Sequence, residues 1–396
     1  MMYMIIYCVR TCDVMNKITY FDNAATTFPK PEAVYSFMDD FYRRCGVNVG
    51  RGQHKLASEA AALMEETREL ILRLFHCQNK KVVLTSTATE ALNVILLGLD
   101  IPQNSYVYIS PFEHNAVTRT LHHLQKTRSF EIKYLDVNKK NLSYSLEIIS
   151  NQFETHKPYC VIVSHASNVC GAIAPLKEIF SLAKKYNAVT ISDMCQTAGL
   201  IDIDLSSDIF DYAVFEGHKT LYGPMGVGGF ISKPALNLSP LIYGGTGVDS
   251  VNQDMPEEFP TKYEAGSHNI LAISGLNAAL KWIDSIGIDS IKTKEIDNRN
   301  RLLDILSDYD NITTIAPDKG IGVVSCVFDG YSSDSIGQVL SNYDIATRTG
   351  LHCSPEAHKF LGTFPAGTVR FSVGYFNSDA DFNRLEEALD FIIENG

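Results

Sequence analysis

The sequence predicts an α/β protein in which a large domain with a mostly parallel sheet precedes a smaller α+β domain. Between about residues 81 and 230, short β-branched runs alternate with helical patterns, which is typical of repeated strand–helix–strand units. Beyond about Trp282 this alternation stops. The length of 396 residues also suits two domains, since one domain usually takes about 100–200 residues.

The strand runs of the large domain are almost continuously apolar, as expected where helices cover both faces of a parallel sheet. They lie at 82–85, 106–110, 160–164, 188–192 and 212–215. Helices are predicted after strands, at 88–98, 115–126 and 175–186. Ligands of such sheets bind at the carboxyl ends of the strands, so the residues that follow each run are the candidates for a site.

The smaller domain is predicted from a helix at 295–308, a strand at 323–328 and an amphipathic helix near 379–394. No Pro/Gly/Ser-rich linker precedes it, so we expect the two lobes to pack on each other and a helix around 270–286 to connect them. We place the large domain at 16–283 and the small one at 284–396. Residues 1–15 are interpreted as an N-terminal extension, because organised patterning begins only after Met15.

Charge and hydropathy exclude two classes of partner. Lys and Arg number 34 against 46 Asp and Glu, which gives a net charge of −12. Such an acidic chain repels phosphate backbones and anionic lipid headgroups, so neither nucleic acid nor a membrane is expected as a partner. No apolar stretch approaches the roughly 18–20 residues that a membrane-spanning helix needs.

The cellular compartment is predicted from the N-terminus and the cysteines. No basic residue precedes the short apolar run at the N-terminus and no small-residue cleavage site follows it, so we expect no signal peptide. The nine cysteines are scattered and form no C-x-x-C pair, which argues against a disulfide framework and a zinc site. This pattern is typical of a protein of the reducing cytoplasm.

Lys219 is the first candidate for chemistry. It follows the 212–215 strand within Glu216-Gly217-His218-Lys219 and precedes a glycine-rich loop. A lysine at a strand end can be partly desolvated, which suits it to form a Schiff base with an aldehyde. Taken alone, Lys219 is more simply interpreted as a solvated lysine in a turn. The residues at the other strand ends decide between this interpretation and a Schiff-base lysine.

Three further strand ends also carry polar residues. Asp193 would be largely buried, so it needs a cationic partner such as a protonated pyridine nitrogen, unless it only caps the next segment. Small hydroxyl residues at 86–89 open a helix, where backbone N–H groups form either a phosphate cradle or a simple capping box. His114 could stack on an aromatic cofactor, although a lone histidine is more often structural.

The small domain adds two arginines and a cysteine. Arg370 lies in an apolar strand-like run, where it is costly unless paired, and a substrate α-carboxylate is a fitting bidentate partner. Cys353 lies on a loop beside His352 and near Arg348, which makes it a candidate reactive thiol. The other cysteines lie mainly in apolar segments and are expected to pack in the core.

With these residues in this order, the chain resembles the fold-type I pyridoxal phosphate enzymes of the class V aminotransferase group. It is most similar to the cysteine desulfurases and selenocysteine lyases, almost from end to end, and the short spacing from Arg348 to Cys353 resembles the Suf-type branch. The motifs that carry the resemblance are Y-F-D-N-A-A-T-T at 20–27, N-V-G-R-G-Q-H at 48–54, T-E-A-L-N at 89–93, E-H-N at 113–115, S-N at 167–168, D-x-x-Q at 193–196, G-H-K at 217–219, E-A-G-S-H-N at 264–269 and R-T-G-x-H-C at 348–353.

The resemblance implies pyridoxal 5′-phosphate as the cofactor and a role for each position around its ring. Lys219 would form the Schiff base with the cofactor and then move protons during the reaction. Asp193 would pair with the pyridinium nitrogen and keep the ring an electron sink. His114 would stack on the ring, and Gln196 would contact its phenolic oxygen.

The resemblance also implies how the cofactor phosphate is held. Ala88 and Thr89 at the helix start and His218 beside the lysine would bind it. The partner subunit would close this site through the residue that matches Ser267, so a homodimer is implied. At Glu216 the family usually has a hydroxyl residue, and a carboxylate facing a phosphate dianion would be repelled. Either this side chain turns away or the phosphate site is altered.

For the substrate, the resemblance implies L-cysteine bound through its carboxylate by Arg370, with Arg348 assisting and Asn168 close to the ring. The Cys353 thiolate would take the sulfur atom, which leaves a persulfide and releases L-alanine. Enzymes of this branch tend to pass the sulfur to an acceptor protein. The pathway, whether iron–sulfur clusters, thiolated RNA or another, stays open.

Other functions stay open as well. A selenocysteine lyase would share every residue named above. In a class V transaminase or β-lyase Cys353 would be incidental, and a non-enzymatic sulfur carrier would keep the fold without catalysis. The intact Lys219, Asp193, His114 and Cys353 argue against that last alternative, and only Glu216 argues for it.

Overall fold

The computed structural model describes residues 18–49, 52, 54–235 and 237–394. The predicted extension at 1–15 lies outside these ranges. The strands are β1 (Thr19–Tyr20), β2 (Lys81–Thr85), β3 (Ser105–Ile109), β4 (Phe130–Tyr134), β5 (Pro158–Ser164), β6 (Val189–Asp193), β7 (Tyr212–Glu216), β8 (Gly228–Ser232), β9 (Ile312–Ile315), β10 (Val323–Phe328), β11 (Ile345–Ala346), β12 (Arg348–Gly350) and β13 (Thr368–Ser372).

The helices of the described residues separate these strands, as the sequence pattern predicts. They are α1 (Glu32–Cys45), α2 (Lys55–Leu74), α3 (Ala88–Gly98), α4 (Asn115–Leu124), α5 (Leu146–Thr155), α6 (Leu176–Lys184), α7 (Ile270–Ile286), α8 (Ile288–Ser307), α9 (Ser333–Asn342), α10 (Pro355–Leu361) and α11 (Asp379–Glu394). Within these ranges, no helix is both long and apolar enough to cross a membrane.

The large lobe is built on a seven-stranded sheet with the order β2-β8-β7-β6-β5-β3-β4. The strands from β3 to β7 pair in parallel, whereas β8 runs antiparallel to both of its neighbours. The prediction of an α/β fold with a mostly parallel sheet is therefore confirmed. Each predicted strand of this lobe is present, with its ends within two residues of the predicted ones.

Alternation along the strands distributes the core over both faces of this sheet. Val82 and Leu84 pack with α1, α2 and α7, whereas Val83 between them packs with α3 and α4 on the other face. Successive side chains of a strand point to opposite faces, so each strand needs apolar residues at consecutive positions. This requirement explains why the strands are apolar runs rather than alternating ones.

A glycine lets the start of α3 approach the central strands closely. Gly228 of β8 pairs with Glu216 of β7. A Cβ atom on Gly228 would lie 2.9 Å from the backbone nitrogen of Ala88 and 2.9 Å from the carbonyl carbon of Thr87. Any larger residue would therefore push the first turn of α3 away from the end of β7, where the lysine loop begins.

The small lobe has a four-stranded antiparallel sheet with the order β12-β13-β10-β9. Its core includes residues of α8, α9 and α11. The first described strand, β1, pairs with β11, and Phe21 packs in this core, so the described residues start on the small lobe before they enter the large one. The predicted domain limits at 16–283 and 284–396 stay a prediction.

The connection between the lobes is helical, as predicted. Helix α7 spans Ile270–Ile286, and α8 begins at Ile288 after a single intervening residue. The helix predicted at 295–308 is therefore longer at its start. Gly287 separates the two helices with a φ of 85°, a left-handed conformation that glycine adopts without steric cost.

Candidate active site

The candidates of the large lobe converge on one cleft of about 440 Å³. It lies at the carboxyl ends of the parallel strands, where such sheets bind ligands. The predicted site residues that line it are Ala88, Thr89, His114, Asn168, Asp193, Gln196 and Lys219, together with Glu216. Residues up to 131 positions apart along the chain therefore share one site.

Asp193 ends β6 and places a buried carboxylate in the cleft. The residue is buried, with 8% of its surface exposed. Its Oδ1 accepts a hydrogen bond from the backbone N–H of Cys195 at 3.0 Å, which is the local capping role that the sequence allowed. The thiol of Cys195 lies beside the same carboxylate. A buried carboxylate favours a cationic N–H donor in the cleft.

His114 presents a neutral imidazole to the cleft. It precedes α4, and its Nδ1 accepts a hydrogen bond from the N–H of Ala116 at 3.0 Å. Burial, reinforced by the positive charges of Lys219 and Arg348, lowers the pKa of His114 to about 4. At neutral pH the ring is therefore uncharged and flat, which suits stacking on an aromatic group.

Glu113, beside His114, ties two strand ends together. Its carboxylate accepts hydrogen bonds from the hydroxyl of Ser110 at 2.6 Å and from the N–H of Ser164 at 2.6 Å. Burial raises the pKa of Glu113 to about 7. The sequence analysis gave this residue no role, although its position in the E-H-N motif was a signal. The structure shows that it links the segment before His114 to the last residue of β5.

Lys219 extends from the loop after β7 into the cleft. The loop is held by its own backbone, because the Lys219 carbonyl accepts from the Thr27 hydroxyl at 3.0 Å and from the N–H of Tyr222 at 2.8 Å. The Nζ atom has no hydrogen bond or ion pair among the described residues. The backbone is therefore fixed while the amine is available for a ligand.

Glu216 points into the start of α3 instead of turning away. Its Oε2 accepts the N–H of Ala88 at 2.8 Å, and its Oε1 lies 3.8 Å from Nε2 of His218. Burial lowers the pKa of His218 to about 4, so this imidazole is neutral. The carboxylate thus lies where the resemblance expects a phosphate.

The N-terminal segment covers this end of the cleft. The Nε2 atom of Gln196 donates to the carbonyl of Ala24 at 2.9 Å. Lys30 donates to the carbonyl of His218 at 2.6 Å and to the hydroxyl of Thr27 at 2.8 Å. Burial lowers the pKa of Lys30 to about 7. Sequence reasoning missed Lys30, because nothing local to it indicates a contact with a loop nearly two hundred residues away.

Cys353 lies on a tightly constrained loop of the small lobe. His352 and Cys353 have φ values of 48° and 59°, a left-handed conformation that non-glycine residues seldom adopt. The Nη2 atom of Arg348 lies 3.1 Å from Sγ of Cys353. A guanidinium at this distance stabilises negative charge on sulfur, which is the condition for a reactive thiolate.

The thiol faces the large lobe. Cys353 and His114 both line a cavity of about 790 Å³. This cavity and the lysine cleft share Thr89, His114 and Ala116 as lining residues. The backbone N–H of Asn115 also donates to the carbonyl of Cys353 at 2.7 Å. The two lobes therefore bring the thiol and the lysine to adjoining cavities.

Asn168 holds the Cys353 loop on both sides of the thiol. Its Nδ2 donates to the carbonyl of His352 at 2.8 Å, and its Oδ1 accepts from the hydroxyl of Ser354 at 2.8 Å. The sequence analysis placed Asn168 near the ring and the substrate. The structure adds this connection between the large lobe and the loop.

We expect Asn168→Ala to loosen the loop without unfolding the protein. Each lost hydrogen bond is worth about 1 kcal/mol, so losing both should lower sulfur transfer by roughly 10- to 30-fold. Hydrogen exchange at residues 350–354 should speed up in parallel. Ser354→Ala removes one of the two bonds and should have an intermediate effect. Wild-type exchange in Asn168→Ala would rule out the positioning role.

Arg348 and Arg370 lie opposite each other on β12 and β13. Arg370 is 1% exposed and donates to Oδ1 of Asp22 at 2.6 Å and to the carbonyl of Asn168 at 3.0 Å. Asp22 belongs to the first motif, yet sequence reasoning did not pair it with Arg370. Two like charges on facing positions are unfavourable unless anions lie between or beside them. Asp22 is one such anion beside Arg370, and a substrate carboxylate would be a second.

The remaining candidates lie elsewhere. The side chain of His352 turns into the small lobe, where Nε2 contacts the hydroxyl of Thr368 at 2.9 Å and burial lowers its pKa to about 2. Ser267 is exposed and lines a different cavity, which has no lining residue in common with the lysine cleft. Within the described part of one chain, Ser267 is therefore not part of the same cleft.

Comparisons with known proteins identify the family of this chain. The family described as aminotransferase class-V matches residues 19–385. A probable cysteine desulfurase from Halalkalibacterium halodurans is 30% identical over 94% of this chain and 92% of its own length. Another from Haemophilus influenzae is 32% identical, with 95% of this chain and 86% of the relative covered.

Solved structures give the same result. The apo structure of the cysteine desulfurase from Thermococcus onnurineus superposes with a TM-score of 0.89 at 26% identity and covers 96% of both chains. The cysteine desulfurase CsdA from Escherichia coli has a TM-score of 0.83 at 26% identity, with 96% of this chain and 95% of that chain covered. Because sequence and fold match over nearly the whole length, this chain belongs to the class V aminotransferase family, among the cysteine desulfurases.

Proposed function

We propose that this protein converts L-cysteine to L-alanine and keeps the sulfur atom as a persulfide on Cys353. The observation that carries the proposal is the meeting of the two lobes at adjoining cavities. One cavity holds the free amine of Lys219, and the other holds the thiol of Cys353 beside Arg348. A transaminase would need the amine but not the thiol.

The cleft fits pyridoxal 5′-phosphate, the cofactor on which this family depends. Asp193 Oδ2 offers an acceptor for a pyridinium N–H, and the neutral His114 offers a stacking surface. Lys219 offers an unpaired amine for covalent attachment. When bound, the cofactor supplies an electron sink that stabilises negative charge at the substrate Cα. The start of α3 and His218 would hold the phosphate, with Glu216 as the one residue that opposes it.

The protein's residues then have distinct tasks. Arg370, assisted by Arg348, binds the substrate carboxylate through charge-assisted hydrogen bonds. Lys219 moves a proton at the substrate Cα. Cys353 attacks the substrate sulfur as a thiolate, so that a sulfur–sulfur bond forms while the carbon–sulfur bond breaks. The carbon that loses sulfur takes up a proton, so L-cysteine and the thiol yield L-alanine and the persulfide without any outside oxidant.

The site is completed in a homodimer under this proposal. Ser267 is exposed on one protomer, where it could reach the phosphate end of the cleft of another. Nearby exposed apolar residues support a contact surface in this region of the large lobe, and they are Ile242, Tyr243, Val248 and Val251. Exposed apolar groups of this kind are typical of surfaces that another chain covers.

The persulfide is proposed to pass to an acceptor protein in the cytoplasm. The loop from Arg348 to Cys353 is short, and hydrogen bonds fix it on both sides of the thiol. The loop therefore cannot carry the persulfide outward, and an acceptor must approach the cavity. The cysteines of the described residues are free, which agrees with a reducing compartment. Iron–sulfur cluster assembly is one process that such a carrier would serve, and the thiolation of RNA is another.

The test is incubation of the protein with pyridoxal 5′-phosphate, a reductant and L-cysteine. We expect L-alanine and sulfide in equal amounts, because each turnover releases one alanine and the reductant frees one sulfide from Cys353. Without reductant, one sulfur per active site should remain on the protein, as measured by mass spectrometry. Alanine formed only from selenocysteine would instead identify a selenocysteine lyase, and no alanine from either would reject the proposal.

A further inference from the structure

Glu216 occupies the place of an anionic ligand within its own protein. Its side chain is inside the lysine cleft, with 6% of the residue exposed. One carboxylate oxygen accepts the first free N–H of α3, from Ala88, at 2.8 Å. The other oxygen is fully buried and has no hydrogen-bond partner among the described residues. The first turn of a helix attracts negative charge, so a carboxylate there competes directly with a phosphate.

The charges around Glu216 do not neutralise it. From β6, Asp193 repels its negative charge, and the thiol of Cys195 faces the same cleft. From its own loop, Lys219 attracts it without forming an ion pair, and His218 lies within 4 Å as a neutral ring. The contact from α3 is a backbone N–H and therefore uncharged. A phosphate dianion at this point would therefore meet a carboxylate whose charge no cation neutralises.

We propose that Glu216 makes cofactor loading depend on proton uptake. Where Glu216 is ionised in the free protein, its carboxylate accepts the N–H of Ala88. When pyridoxal 5′-phosphate then binds, Glu216 takes up one proton from solvent. The neutral acid then donates its O–H to a phosphate oxygen instead of repelling it. This inference rests on the proposed function only in taking pyridoxal 5′-phosphate as the cofactor.

Burial already prepares Glu216 for this change. It raises the pKa of Glu216 to about 7, mainly because desolvation disfavours the charged form. A raised pKa means that the native state holds the proton up to about pH 7 and loses it above that. Cofactor affinity is therefore expected to be full below pH 7 and to weaken as the pH rises through this range.

The experiment is a titration of the apoprotein with pyridoxal 5′-phosphate from pH 6 to pH 9, followed by the absorbance of the bound cofactor. In the wild type, the dissociation constant should rise by about tenfold for each pH unit above 7, as expected when binding takes up one proton. Glu216→Gln keeps the shape without the charge. It should bind as tightly as the wild type at pH 6 and at least about tenfold more tightly at pH 8.5.

Pyridoxal, which lacks the phosphate, separates this effect from changes at the ring. Wild type and Glu216→Gln should bind it with similar affinity at every pH, since pyridoxal brings no phosphate to residue 216. Glu90→Gln is the matched control, because Glu90 lies in the first turn of α3 beside Ala88. Its Oε2 accepts the N–H of Ser86 at 2.8 Å, and the residue does not line the cleft. This variant should keep the wild-type pH dependence.

Two results would overturn the inference: parallel titrations of wild type and Glu216→Gln, or the same difference between them with pyridoxal. Should Glu216→Gln fail to fold, calorimetry of the wild type in buffers of different ionisation enthalpy replaces it. At pH 8, binding of pyridoxal 5′-phosphate should be accompanied by the uptake of one proton more than binding of pyridoxal. Equal proton uptake for the two ligands would contradict the inference. The proposed function fails separately, if cofactor binds with this pH dependence but cysteine yields no alanine.

Discussion

Cys353→Ala is expected to abolish alanine formation from L-cysteine, by at least about 1000-fold, while the protein still binds its cofactor. The thiol lies beside Arg348 and lines the same cavity as His114. Among the described residues that line this cavity, it is the only thiol that could accept the sulfur. Without it the carbon–sulfur bond has no nucleophile to break it. Alanine release and sulfane sulfur on the protein are the two measurements.

Cys195→Ala is the matched control for this prediction. Cys195 also lines the cleft, but burial raises the pKa of its thiol well above the usual range, so it stays protonated and unreactive. Its replacement should leave sulfur transfer within about twofold of the wild type, since a single buried thiol acts as a small apolar group. Full turnover in Cys353→Ala would show that Cys353 is incidental and would favour a transaminase or β-lyase.

Lys219→Ala is expected to lose both covalent attachment of the cofactor and turnover, the latter by about 10³-fold or more, since it removes a nucleophile and a proton carrier together. Reduction of the loaded protein with borohydride, followed by peptide mass spectrometry, should place the cofactor on Lys219 in the wild type and on no residue in the variant. The structural reason is that its amine lies in the cleft beside Asp193 and His114 and has no partner among the residues that the structure describes.

Lys30→Met provides the comparison, because Lys30 is a half-buried lysine that contacts the His218 loop, yet its amine is engaged by backbone and hydroxyl oxygens. This variant should still attach the cofactor at Lys219. A borohydride-fixed cofactor on Lys30 in the wild type would refute the assignment of Lys219.

Much of the fold could be predicted because its main signals are local. Buried parallel strands need consecutive apolar residues, and that pattern is visible at 160–164 and 188–192 without any structure. The start of α8 was less predictable. Its first residues follow Gly287 directly after α7, and a left-handed glycine between two helices leaves little in the local pattern to mark where one ends.

The location of the site could be predicted for a topological reason. Residues at the carboxyl ends of neighbouring parallel strands meet at one edge of the sheet. Asp193 and Lys219 are therefore close because β6 and β7 are neighbours in this sheet. The loop containing Cys353 is different, because no sheet register connects it to this edge. Its resemblance to a family motif indicated a role, but its distance from the cleft follows from how the lobes pack.

The chemical groups of this protein are thus evident in its amino-acid order: an amine, a carboxylate, an imidazole and a thiol, each in a motif of its own. Their partners are not. Arg370 pairs with Asp22, which lies 348 positions away in the chain. Asn168 forms hydrogen bonds with the Cys353 loop, and Glu216 accepts the N–H of Ala88. Hydrogen bonds depend on distances of a few tenths of an ångström between residues remote in the chain, and such distances exist only after the lobes have packed.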